Sequence, residues 1–162
     1  MASPSEREAP NRRLGATVRE RAPVSSALLI AVKTHKALAG SLLEQLGLYP
    51  GQELVLLMLR DAGTLEQRQL VAELSLHPST VTKMVQRLER SGFVRRTRSV
   101  ADARAVDVEL TPKGRKIIDR VDEVWTEVEA ISVEGLTPAQ SRTFIALANR
   151  IQGSTAAALA SR

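Results

Sequence analysis

Cysteine is missing from this sequence of 162 residues. Disulfides, thiolate metal sites and a thiol redox switch are excluded together. Aromatic residues are scarce: Tyr49, Phe93, Trp125 and Phe144 are all there are. A core must therefore be built from Leu, Val, Ile and Ala, which favours helices packed on helices. Long hydrophobic runs are also missing. The longest, Ala27 to Val32, is far too short to span a bilayer. The first residues are charged and polar, so no signal peptide and no membrane association are expected, and the cytoplasm is the expected location. Histidine occurs only as His35 and His77, isolated from each other in sequence. With no nucleophile–base pair, no glycine-rich phosphate loop and no metal-spaced cluster, the chain does not read as an enzyme. It implies no metal and no cofactor.

What is present is a modest positive charge, formally +5, which points weakly to an anionic partner. Residues 1–23 carry Pro4, Pro10 and Pro23, mixed charges and no sustained periodicity, and read as a disordered, basic arm. A helix is expected over about 26–46, with Leu28, Ala31, His35, Leu38 and Leu42 on one face. A second begins at Pro50 and carries Leu54, Leu57 and Met58 inward. Thr64 to Gln67 reads as a capping box that opens a third, with Leu70, Val71 and Leu74 buried. Pro78 opens a fourth, stopped by Gly92. Residues 93–98 and 105–110 read as the two strands of a hairpin. Thr111 caps a long helix with a stripe of Ile117, Val121, Val124, Val128 and Ile131. Thr137 to Gln140 is a further capping box, opening a last helix with Phe144, Leu147 and Ile151.

The helix from Pro78 carries the chemistry. Val81, Val85 and Leu88 form its apolar stripe, while Ser79, Thr80, Thr82, Lys83, Gln86 and Arg87 face away. Hydroxyls and backbone N–H groups at a helix start hold phosphates, and Gln or Arg one or two turns later reach base edges. Any solvated helix is polar outside, so the neighbourhood must decide. Arg90, Arg95, Arg96, Arg98 and Arg104 crowd the helix end and the hairpin, opposed there by Glu89 and Asp102. Such a local excess displaces counterions from a duplex.

A hairpin beside a recognition helix is a wing. Its tip can enter a minor groove, where an Arg is drawn by the concentrated negative potential. Arg104 is the candidate for that insertion, and Asp102 could pair with a neighbouring Arg and hold the tip. The apolar stripes on the terminal helices need burial, which a symmetric dimer would supply. The expected architecture is therefore mainly α with a small β-hairpin wing: a winged helix-turn-helix flanked by long N- and C-terminal dimerisation helices. The DNA-binding domain covers 49–111 and the dimerisation region 24–48 and 112–162.

Residues 50–114 resemble the winged helix-turn-helix of the MarR (multiple antibiotic resistance regulator) family. The matching residues are "LSLHPSTVTKMVQRL" from Leu74 to Leu88, the junction Gly92-Phe93-Val94-Arg95-Arg96, and Asp102-x-Arg104 followed by Val108-x-Leu110-Thr111-x-x-Gly114. The resemblance implies a homodimeric transcription regulator, usually a repressor, on a pseudo-palindromic double-stranded DNA operator. Many members release DNA on binding a small aromatic or phenolic molecule. His35, Tyr49 and Met58 are the candidates for lining such a site. Tyr49 departs from the family pattern, which more often has a Ser or Thr cap there, and Ala103 stands where a second Arg is common. The alternative is a helical protein-interaction module on the same frame, without DNA, which would associate without salt dependence.

Overall fold

A computed structural model of the chain describes residues 16–99 and 105–162. Among the described residues the elements run α1 (Ala16–Arg21), α2 (Pro23–Glu44), α3 (Gln52–Ala62), β1 (Thr64–Glu66), α4 (Gln67–Leu74), α5 (Pro78–Arg90), β2 (Val94–Arg98), β3 (Val106–Leu110), α6 (Pro112–Val133) and α7 (Pro138–Ala160). Two compact units result, the first reaching Val124 and the second spanning Trp125–Arg162. The expected class, mainly helical with a small antiparallel sheet, is the one observed.

The core of the first unit lies where α3, α5 and the sheet meet. Val55, Leu56 and Leu59 come from α3, Leu70 from α4, and Val81, Val85 and Leu88 from α5, all fully buried. Each such side chain contributes roughly 1.5–3 kcal/mol by leaving water. The α3 face differs from the expectation. Leu54 is 40% exposed, and Leu57 and Met58 are only half-buried. The run from Leu54 to Leu59 is apolar at every position, so its sequence cannot say which stripe turns inward. Contact with α5 and β3 decides it.

The sheet has three strands in the order β1-β3-β2, where the sequence suggested a hairpin of two. Thr64, Leu65 and Glu66 pair with Glu109, Val108 and Asp107. The capping box expected at Thr64–Gln67 is thereby displaced. Thr64 belongs to the ladder, and the box sits two residues later, where Gln69 Oε1 accepts from the Glu66 N–H at 2.8 Å. Within the stretch read as an arm, residues 16–21 are helical. α2 starts at Pro23 and ends at Glu44, slightly earlier than expected. Its buried apolar residues, Ala39 and Leu43, lie toward its C-terminal end, Ser26 is buried near its start, and Leu28 is 42% exposed.

The junction of sheet and α6 is tight. Thr111 Oγ1 donates to Gly92 O at 2.6 Å and accepts from the Gly114 N–H at 3.0 Å, so one hydroxyl closes the wing and caps the helix. A Cβ at Gly114 would lie 1.9 Å from Phe93 O, so only glycine lets the first turn of α6 approach the start of β2. Along α6, Ile118, Val121, Val124 and Val128 are buried, and Ile131 is 46% exposed. Ile118 thus takes the place expected for Ile117, which is half-buried.

In the second unit the expected capping box at Thr137 is present: Thr137 Oγ1 accepts from the Gln140 N–H, and Gln140 Oε1 accepts from the Thr137 N–H at 2.8 Å. α7 has no buried residue. Phe144, Ile145 and Leu147 are more than half exposed along it. Among the described residues no helix is long and apolar enough to cross a membrane.

Candidate nucleic-acid interface

α4 and α5 are joined by a short turn in which Ser75 adopts a left-handed backbone, φ 50°. α5 then starts on Pro78, whose ring fixes a helical φ and whose missing N–H costs nothing there. His77 is its N-cap: Nδ1 accepts from the Ser79 N–H at 3.3 Å and lies 2.9 Å from Ser79 Oγ. That capping role was not visible in the sequence, because histidine is an uncommon cap.

The buried stripe of α5 turns its other face outward. Ser79, Thr80, Lys83, Gln86 and Arg87 are all exposed. Lys83 and Arg87 are four residues apart and so share one face. Thr82 stands apart. It is half-buried, donates to Pro78 O at 2.9 Å and accepts from Gln67 Nε2 at 2.9 Å. Its hydroxyl therefore fastens α4 to α5, and is already committed within the chain.

The arginines of the wing are held differently. Arg95 pairs with Glu109 directly across the strands, at 2.6 Å from Nη2 to Oε1. Arg96 pairs with Glu89 at the end of α5, at 2.7 Å. Arg98 is exposed at the far end of β2. Among the described residues Lys83, Arg87 and Arg98 have no carboxylate partner. The positive face is thus narrower than a count of arginines suggests. Asp102 and Arg104, expected at the wing tip, lie outside the described residues.

The three residues expected around an effector come from different elements. His35 is exposed on α2, Met58 is half-buried on α3, and Tyr49 is 57% exposed in the turn between them. The Tyr49 ring lies beneath the Arg87 guanidinium, 4.9 Å from carbon to ring centroid. An open groove of about 360 Å³ lies beside α4, the start of α5 and β3, lined by Glu66, Gln67, Val71, Pro78 and Val106 among others.

Two features at the start of α3 frame this region. Gln52 is buried, accepts from the Tyr49 N–H at 2.9 Å and donates to Met84 O of α5 at 3.4 Å. Glu53 is also buried, and its burial pushes the carboxyl above the usual carboxylate range, opposed by its own N–H and that of Gly51. Among the described residues no cluster of His, Cys, Asp and Glu is placed to hold a metal ion.

Residues 48–106 match the sequence model of the MarR family. The chain is 35% identical over 72 residues to the HTH-type transcriptional repressor MdtR of Bacillus subtilis, covering 44% of this chain and 46% of that protein. It spans about half the length of the curated relatives it matches. Among solved structures, a mutant MarR of E. coli complexed with operator DNA superposes with a TM-score of 0.77 at 23% identity, covering 85% of this chain and 99% of that one. BpsR of Bordetella bronchiseptica, whose DNA binding is described as regulated by 6-hydroxynicotinic acid, gives 0.73 at 25% identity, covering 80% and 98%.

Proposed function

We propose that this chain, a member of the MarR family, regulates transcription by binding double-stranded operator DNA as a homodimer. The observation that carries this reading is the outward face of α5. Its Val81–Val85–Leu88 stripe is buried, which leaves Lys83, Gln86 and Arg87 projecting together from a helix narrow enough for a major groove. Ser79 and Thr80 offer hydroxyls at the helix start for phosphates. In this reading Arg98, Arg104 and Asp102 belong to a wing that follows the backbone into the adjacent minor groove. Arg95 and Arg96 shape the base of that wing through their carboxylate partners.

Dimerisation is supported by the apolar side chains left open on α2 and α7, where Leu29 and Phe144 are 57% and 61% exposed. A two-fold pair presents two α5 helices, and the operator half-sites then lie about one helical turn, or a multiple, apart. Repression is the proposed sign, in keeping with the relative named a repressor. Release by a small aromatic molecule is the proposed control, with His35, Tyr49 and Met58 the contact candidates.

The test is fluorescence anisotropy with duplexes selected from a random library, at several salt concentrations. The reading expects an enriched inverted repeat and affinity that falls steeply with salt. Failure to enrich any sequence, together with salt-insensitive capture of a protein, would replace it with the interaction-module reading.

A further inference from the structure

α5 carries three exposed cations, and each is held differently: Arg90 at the helix end donates to Gln86 O of its own helix at 3.4 Å. Lys83 reaches into solvent. Arg87 lies over the Tyr49 ring, 4.9 Å from the centroid. Tyr49 belongs to the turn between α2 and α3, not to the helix-turn-helix itself.

That turn is pinned to α5 by contacts of its own. The Tyr49 N–H donates to Gln52 Oε1, and Gln52 Nε2 reaches Met84 O, one turn before Arg87. Gly51 has φ 92°, and a Cβ there would stand 2.8 Å from Met84 Cε, so the turn approaches α5 closely. The backbone that bears the ring is therefore held close to the helix that bears Arg87.

A guanidinium held over an aromatic ring is held without a carboxylate taking up its N–H groups. Those groups are the part that meets guanine O6 and N7 in a bidentate pair. A carboxylate partner would occupy them instead, as Glu109 does for Arg95 and Glu89 for Arg96. Among the described residues Arg87 has no such partner. Stacking also removes rotamer freedom before any DNA arrives, which lowers the ordering cost of binding.

We propose that Tyr49 is a positioning residue for sequence readout: its ring orients the Arg87 guanidinium for a base edge in the major groove. This inference rests on the DNA-binding reading given above. It deepens that reading by adding to the specificity machinery a residue that need not touch a base.

Three variants test it against the duplex selected by the wild-type chain and a scrambled duplex of equal length. Tyr49→Leu should weaken binding to the selected duplex by about two- to fivefold, the range of an exposed cation–π contact, and leave the scrambled duplex unaffected. Tyr49→Phe should retain wild-type selectivity, since the ring remains. In an Arg87→Ala background, Tyr49→Leu should have no further effect. Equal losses on both duplexes, or a Tyr49→Leu effect that persists without Arg87, would overturn the inference while leaving the regulator reading intact. A wild-type chain that selects no sequence overturns both. A readout without DNA guards against a variant that does not fold: in the wild-type chain the Arg87 side-chain proton resonances should be shifted upfield by the ring current. Their absence at shifted positions also refutes the stack.

Discussion

Arg87 of α5 and the pair Arg95 and Arg96 of β2 carry the same charge but are held by different partners. On β2, Arg95 and Arg96 are each tied to a carboxylate, Glu109 across the strands and Glu89 at the end of α5. On α5, Arg87 lies over an aromatic ring and has no carboxylate partner among the described residues. A carboxylate offsets the charge and takes the donors, whereas a ring does neither. Counting basic residues therefore overstates the surface available to an anion. The difference between the two regions also divides their expected roles, with α5 reading sequence and β2 holding the base of the wing in shape.

The contrast first requires its common frame, and the largest effect comes from removing that. Gly114→Ala places a methyl group against the Phe93 carbonyl, 1.9 Å away before any relaxation. Thermal or denaturant unfolding should show a loss of about 3 kcal/mol, at the upper end of overpacking. An unfolding midpoint equal to wild type would mean that α6 can move away from β2 freely. Next in size is Arg87→Ala. Affinity for a selected duplex should fall by on the order of 1–3 kcal/mol, with relaxed preference at one base pair, as titration against single-base variants would record.

Arg95→Ala should cost much less, under about 1 kcal/mol in either stability or DNA affinity, because its pair with Glu109 is solvent-exposed. Equal losses for Arg95→Ala and Arg87→Ala would break the comparison outright. The smallest effect concerns a third kind of charge, the buried one at Glu53, whose folded pKa is raised by burial. The folded chain then favours the protonated carboxyl. Stability from this group is fully present below the ordinary value of 4.5 and is lost as pH rises through the raised folded value. Glu53→Gln should accordingly stabilise the chain at neutral pH, and the gain should vanish in acid. Denaturation curves at the two extremes measure it, and a variant equally destabilised at both would show that the ionised form is needed.

Local chemistry made much of the fold legible. The stripe of α5, its Pro78 start and the Thr137 box are each written within a few consecutive residues, and each is found as expected. β1 was not legible, because a strand of three residues is defined only by its partner β3, far along the chain. The inward face of α3 was hidden by a run that is apolar on every side. At the interface, the exposed face of α5 could be read from helical spacing, but the state of each arginine could not. Glu109, Glu89 and Tyr49 are neighbours through sheet register and helix packing, and no spacing rule brings Tyr49 to Arg87.

Because β3 lies between β1 and β2, the wing shares its middle strand with the segment that links α3 to α4. A ladder of backbone hydrogen bonds, and not a hinge, thus sets the interval between hairpin and helix-turn-helix. On the proposed DNA-binding reading, a duplex then meets two elements whose spacing is set by one shared strand, and irregularities of groove pitch fall to the nucleic acid to absorb.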